Sequence, residues 1–409
     1  MNLGRVLTGS MLAVFVLFAG CSEPESPSGD PNGENGRPLS AMPSQTDQIA
    51  PSHLKDAQQL INRGLTFLLS QQREDGGWSF APQMPSDPAL TSLALKALVQ
   101  HPEFTYKTPA VAKGYEVLLS YQQPNGGVYN DDSPHKQENY TTAVAVMALA
   151  AAENPAWQDA LDKGVAYLKS LQILPGSETQ DGDPIDANHP FVGGVSYGKH
   201  GRPDLSNMGF NLMALQEAGV PGDDPHVQRA MIFVTRTQNL SETNPLGWAD
   251  TVEDDGGFIY APAKRDGVTP ESKVKTGLRS YGSMTYTGFK SLLYAGVDRQ
   301  DKRVQRARQW ILSHWTLDKN PAMPAETNQT REGLYYYYHM FAKALRAWGE
   351  PVLEDASGQE HNWRHELIAA LEERINDNGS WTGDKRWYES IPELATTYSV
   401  LALQESLKK

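Results

Sequence analysis

The run Tyr335-Tyr336-Tyr337-Tyr338-His339 is the most unusual string in this chain that could do chemistry. Four consecutive residues on a helix cover all of its faces, so at least one tyrosine must point inward and one outward. His339 as a free imidazole would exchange protons near neutral pH, and Tyr337 and Tyr338 could form a wall against a sugar or an isoprenoid. The plain alternative is a packed aromatic rim. A second group of side chains falls at expected helix starts: Asp204 and Ser206, Asn139-Tyr140-Thr141, Tyr281, Ser283 and Tyr286, and Thr396-Thr397-Tyr398. Asp87, Asp204 and Ser206 suit N-caps, which accept hydrogen bonds from the first free N–H groups of a helix, but the same position would also face the mouth of a barrel. Two connections are much longer than the rest. Residues 173–203 contain His189, Tyr197 and His200; residues 239–279 contain Trp248, an acidic cluster and Lys273. Long ordered loops are commonly functional, and these two should lie side by side as a lid or wall, or as stiffening insertions. The catalytic candidates are therefore Asp204 and His339, and the ligand-binding candidates are Tyr140, Tyr197, His200, Asn207, Tyr286, Tyr337 and Tyr338.

The elements that must position these residues are written as a repeat. The phrase R-G-L-T-F-L-L-S-Q-Q-R-E-D-G-G-W at 63–78 returns as Lys113-Gly114, Val117-Leu118, Gln122 and Gly126-Gly127-Val128, and again as Lys163-Gly164, Tyr167-Leu168 and Gln172. A fixed period of this size signals stacked supersecondary units. Each unit reads as a helix, a Gly-Gly turn that needs positive φ, and a second helix. The second helices are expected at 89–99, 139–152, 204–218, 283–295, 335–348 and 394–407. The phrase wears down in the later units: Arg229-Ala230 replaces the basic-Gly pair, Trp315 stands where the Gln would be, and unit six keeps Leu371 and the turn Asn378-Gly379-Ser380-Trp381. Six such hairpins make either an open solenoid or a closed ring. The last helix has no polar cap, and its Leu394, Tyr398, Val400, Leu401 and Leu403 need a partner that the first unit could supply.

Composition narrows the partners. A net charge of −13 argues against nucleic acid. The single cysteine, Cys21, leaves no disulfide framework and no Cys-based zinc site, and no metal or cofactor is expected. Arg5 precedes an apolar run over 11–18 that ends in Ala19-Gly20-Cys21, too short to span a bilayer. This resembles a bacterial lipoprotein signal over 1–21 with Cys21 as the lipidation site, although Phe18 stands where an aliphatic residue is usual; an ordinary secretory peptide is the alternative. Ser22 resembles lipoproteins sent to the outer membrane. Residues 22–52 are rich in Pro, Ser, Gly, Asn and Asp, a composition that cannot offset ordering entropy, and read as a tether. The folded body is expected over 53–409.

Arg63-Gly64, Phe67-Leu68, Gln72, Gly76 and Trp78 resemble the QW repeat of squalene and oxidosqualene cyclases, whose domains share a toroid with protein prenyltransferase β subunits. The resemblance implies an all-α (α/α)6 toroid with the second helix of each hairpin inside and the first outside. Arg202-Pro203-Asp204-Leu205-Ser206-Asn207 and Gly333-Leu334 with its tyrosines also resemble a group of secreted bacterial toroids, for which the resemblance supplies no activity. Class II cyclisation requires a protonated acid, built in that family as D-x-D-D. The nearest string here, Asp250-Thr251-Val252-Glu253-Asp254-Asp255, aligns at its end with Arg73 to Asp75 and reads as turn chemistry. Prenyl transfer and thioester chemistry both need cysteines the body lacks. Three functions stay open: binding or transforming an apolar, isoprenoid-like ligand in a central cavity; acting on or binding polysaccharide, with His200, His339, Tyr197 and Asp204 converging; and a non-enzymatic scaffold.

Overall fold

The computed structural model describes residues 49–133, 136–199, 201–246, 249, 254–262, 278–323 and 331–408. The chain divides into a unit of residues 1–42, outside the described residues together with Cys21, and a unit of residues 43–409 to which all that follows refers. Among the described residues the expected hairpins appear as α1 (Pro51–Ser70) with α2 (Pro88–Val99), α3 (Pro109–Ser120) with α4 (Glu138–Ala152), α5 (Gln158–Ser170) with α6 (Leu205–Glu217), α7 (Pro225–Arg236) with α8 (Gly282–Tyr294), α9 (Lys302–Ser313) with α10 (Leu334–Trp348), and α11 (Trp363–Arg374) with α12 (Pro392–Leu407). Helix α1 starts at Pro51, inside the last two residues assigned to the tether. A two-stranded antiparallel hairpin, β1 (Val352–Glu354) with β2 (Glu360–Asn362), precedes α11 and had no counterpart in the repeat.

The even-numbered helices form the inner ring: α2 packs on α4, α4 on α6, and so on to α12, which packs back on α2. The ring is closed. Composition explains the sorting, because α2 is buried over Pro88 to Leu98 and is apolar nearly all round, whereas α1 buries one stripe and exposes the other face. Outer helices α1, α3, α5 and α9 each lean mainly on the inner helix of the preceding hairpin. This gives the basic-Gly pair its reason. A Cβ on Gly64 would sit 2.6 Å from Val400 of α12, on Gly114 2.7 Å from Leu95 of α2, and on Gly164 2.7 Å from Val146 of α4. The glycine marks the point of closest helix approach.

The Gln of the phrase ties neighbouring units. Gln72 Nε2 donates to the carbonyls of Gly76 (2.7 Å) and Ala110 (2.8 Å), Gln122 to Ala160 (2.9 Å), Gln172 to His226 (3.0 Å), and Gln238 to Arg303 (2.8 Å). Apart from Gly76, which lies in the same unit's turn, each of these receiving carbonyls lies on the next outer helix. Trp78 and Trp381 each donate an indole N–H to a carbonyl ten residues earlier, Leu68 and Leu371. The acidic turns are structural as expected. Asp75 accepts from the Gly77 amide (3.0 Å) and the Ser86 hydroxyl (2.8 Å); Asp255 does the same with Gly257 (2.9 Å) and Ser280 (2.7 Å), and also accepts from the Trp310 indole (2.9 Å). Residues 250–253 of that string lie outside the described residues.

All six inner helices run the same way, so their ends gather unlike charges. At the C-terminal end Lys343 bridges Glu217 (2.6 Å) and Glu405 (2.8 Å), Lys96 pairs with Glu217, Arg346 (3.3 Å) and Lys408 (2.7 Å) reach Glu405, and Lys290 donates to Gln216 (2.7 Å). Cations are favoured there because the helix dipoles end in partial negative charge. This network plugs one end of the barrel axis.

Candidate functional site: an aromatic cavity at the N-terminal end of the inner ring

At the other end the first turns of the inner helices surround a cavity of about 490 Å³. The turns are held open by caps from several sources. Asp87 accepts from the amides of Ala89 and Leu90, both at 2.9 Å. Asp204 accepts from the Asn207 amide and from its side-chain N–H₂, both at 2.8 Å. Helix α8 is capped by Asn320, which accepts from Ser283 (2.9 Å), and α10 by Glu389, which accepts from Tyr336 (2.8 Å). The loop 173–203 caps α4 through the Tyr197 carbonyl, which accepts from Asn139 at 3.0 Å. The long loop thus helps build the mouth, as its length suggested.

Leu90, Leu93, Phe210, Met284 and Leu394 make the apolar wall. Tyr140, Tyr336 and Tyr398 complete it, and their hydroxyls are engaged with each other or with protein: Tyr140 with Tyr398 at 2.7 Å, Tyr336 with Ser206 at 2.9 Å. Phe210 stands edge-on to Tyr140 with ring centroids 4.6 Å apart. Around the lip are Phe80, Tyr197, Tyr260, Trp387 and Tyr388, of which Tyr197 is 48% and Tyr388 61% exposed.

One wall is polar. Asp204 lies buried behind Asn207, and burial pushes its carboxyl up to about 6 against the opposing hydrogen bonds from Asn207 and Tyr260. Tyr197, Tyr260 and Asn207 line the cavity together, and burial raises the Tyr197 phenol against the favourable influence of Tyr260 and Asn207. Asn207 continues inward to Asn139, Asn211 and His226, a fully buried chain of amides. Asp204 therefore orients the groups that face the cavity without lining it.

Of the expected site residues, the structure brings together Tyr140, Tyr197 and Asn207 on the walls, with Asp204 directly behind. The tyrosine run needs correcting. Tyr337 and Tyr338 turn outward, their hydroxyls donating to the carbonyls of Thr316 (2.8 Å) and Leu317. The inward member is Tyr336, which shares its face of α10 with His339 and Lys343 at i+3 and i+7. Tyr286 also leaves the site, packing against Tyr337 and Phe341 at 5.6 and 5.2 Å. His339 sits below Tyr398, 1% exposed, its Nδ1 without a partner. Burial, reinforced by Lys343 and Lys96, holds it well below the usual imidazole range, so it is a neutral ring between cavity and plug and not a proton donor at neutral pH. His200, Trp248 and Lys273 lie outside the described residues. Sequence reasoning missed Phe210, Tyr260, Trp387, Tyr388 and Glu389. It also missed that Asp204-Leu205-Ser206-Asn207 matches D-x-D-D in its first residue only, with a hydroxyl and an amide in the later places. No group of three or more metal-binding side chains occurs among the described residues, nor does any helix there long and apolar enough to cross a membrane.

Among the described residues the fold is an all-α toroid of six helical hairpins with a cavity at one end. A variant of the type II terpene cyclase MstE from Scytonema, with geranylgeranyl dihydroxybenzoate bound, is similar over 87% of this chain and 99% of its own at 16% identity and a TM-score of 0.51. A D-mannose isomerase is similar over 90% of this chain and 99% of its own at 12% identity and 0.56, and an alpha-1,6-mannanase from Salegentibacter over 87% and 98% at 10% and 0.51. In sequence, the lanosterol synthase erg7A of Aspergillus fumigatus is 31% identical over 112 residues, 23% of this chain and 15% of that enzyme's length. No protein-family model matches the chain.

Proposed function

We propose that this chain binds an apolar, isoprenoid-like molecule in the cavity at the mouth of its toroid, as an exported protein tethered to the cell envelope through Cys21. One observation carries the first part: the deep wall is apolar, because its tyrosine hydroxyls are satisfied within the protein and present little unmet hydrogen-bonding demand to a guest. A cavity of about 490 Å³ is of a size that holds small molecules. Tyr197, which lines the cavity with Asn207 and Tyr260, is the hydrogen-bonding partner for one polar group on the ligand. With Ser206 and Asn207 in place of acids, the reading favours binding over proton-initiated cyclisation. The second part is supported by the apolar run before Cys21 and by the tether-like composition after it.

The test is native mass spectrometry, with organic extraction, of protein purified from membranes. Wild type should carry an apolar ligand or take up geranylgeraniol; Leu93→Trp, which fills the wall, should not; Cys21→Ser should shift the protein from the membrane to the soluble fraction. Equal ligand content in wild type and Leu93→Trp would sink the cavity reading. A glycan reading is favoured by the exposed Trp387 and Tyr388 beside Asn130, Lys136 and Gln137 on the lip, since an aromatic face flanked by polar groups suits a sugar ring. Mannan-oligosaccharide binding that is lost in Tyr388→Ala and indifferent to Leu93→Trp would establish it instead.

A further inference from the structure

Among the described residues, single non-glycine positions with positive φ occur at Gln137, Glu153, Asp254 and Ala322, but only Trp387 (φ 55°) and Tyr388 (φ 63°) are adjacent. Two bulky aromatic residues in succession in the left-handed region are a true outlier, and such strain persists only where the surroundings over-determine it. The repeat turns meet the same need with Gly76, Gly126, Gly256 and Gly379. Here the chain uses a tryptophan and a tyrosine, and both line the cavity.

The surroundings that impose the conformation can be named. Trp387 lies over Gly333, where a Cβ would collide with its ring. Arg386 pairs with Glu332 at 2.6 Å and stacks over the Trp387 ring. Tyr388 reaches across the mouth to Phe80 of the first hairpin, ring centroids 5.7 Å apart. Glu389, fully buried, accepts from the Tyr336 amide through Oε1, while its Oε2 has no partner. Its backbone carbonyl accepts from Gly383 at 2.7 Å. Of these fastenings, the buried Glu389 carboxyl group is the one that ties the strained pair to the first turn of α10, the helix that also carries the inward tyrosine.

We infer that residues 386–389 form a sprung aromatic clamp, in which Trp387 and Tyr388 close over the ligand and Glu389 is the latch that holds them to α10. The clamp rests on the reading that the cavity is a ligand site, but the latch does not. Strain at 387 and 388 pulls against the Glu389 seat, so relief of the strain tightens the seat and loss of the seat frees the lip. Glu389 is a positioning residue, acting through the two aromatics.

The Tyr336 amide reports the latch in ligand-free protein. Its hydrogen exchange should be several-fold faster in Tyr388→Ala, which keeps the strain at 388, than in Tyr388→Gly, which relieves it there; both lack the aromatic ring. Release of bound geranylgeraniol into an excess of unlabelled competitor should be about tenfold faster from Glu389→Ala than from wild type, and near wild type in Glu389→Gln, which keeps the accepting oxygen. Equal Tyr336 exchange in the alanine and glycine variants overturns the spring. Unchanged release from Glu389→Ala overturns the grip. If wild type takes up no geranylgeraniol, the cavity reading and the grip both fall, while the exchange difference alone still upholds or overturns the latch.

Discussion

Glu389 and Lys290 are buried at opposite ends of the inner helices, and burial, which disfavours both charges, moves their pKa values in opposite directions. Burial pushes Glu389 up to about 8, even though the N–H groups of Tyr336, Tyr335 and Leu334 favour its charged form. Its folded-state affinity for a proton exceeds its unfolded one, so it contributes stability that is complete below the ordinary glutamate value of 4.5 and lost as pH rises through about 8. Burial, with Lys343 beside it, pushes Lys290 down to about 7, so its contribution is complete above 10.5 and lost as pH falls through about 7. Melting temperature measured across this range should therefore lose part of its decline from pH 4.5 to about 8 in Glu389→Gln, and part of its fall from pH 10.5 to about 7 in Lys290→Met. Curves parallel to wild type in both variants would contradict the assignment. Asp204 was legible as a cap and as a site residue because an N-cap is a local pattern. The tyrosine facing the axis was not, because four identical neighbours carry no phase; the phase is set by His339 and Lys343 farther along α10, and their inward direction depends on the closed ring.

Hairpins are the scale at which the sequence was most readable. The recurring phrase marks a contact: its glycine lets one helix touch the previous inner helix, its Gln crosses to the next outer helix, and its aromatic covers the turn. The units in which the phrase has worn away still fold to the same plan, with Trp315 donating to Glu366 (2.7 Å) where a Gln would have crossed. Substitution should separate the two uses of glycine. Gly126 has φ 91°, and a Cβ there would meet the Lys163 carbonyl at 2.7 Å, so Gly126→Ala combines backbone strain with a rigid clash and should cost about 2–4 kcal/mol. Gly114→Ala carries no backbone strain and meets first the yielding tip of Leu95 (2.7 Å), with the Gly76 carbonyl farther off at 3.1 Å, and should cost less; denaturant titration of the two compares them directly, and equal losses would refute the distinction. The caps of α8 and α10 were not legible, since Asn320 and Glu389 reach those helices from 37 and 53 residues away. Nor was the strap of Trp387 and Tyr388, which belongs to no repeat.

Across the whole molecule, closure depends on the last hairpin meeting the first. Arg63 donates to the carbonyls of Asn376 (2.9 Å) and Asp377 (3.3 Å), Gln404 to that of Ala97 (2.7 Å), and Lys408 to the Gln100 side chain (2.9 Å). Deleting residues 392–409 removes α12 from between α10 and α2 and bares its apolar neighbours. The truncated chain should lose the sharp thermal transition and bind a hydrophobic dye; a transition as sharp as wild type would mean that the first five hairpins fold as an independent solenoid. The ring was foreseeable from the uncapped apolar last helix, but its stopper of lysines and glutamates was not, because those residues lie in five separate stretches of chain. That stopper makes the barrel a cup and not a tube. A cup has one doorway: a new guest cannot push the old one out ahead of it, so the rate of exchange is set by departure alone and is independent of how much newcomer is waiting.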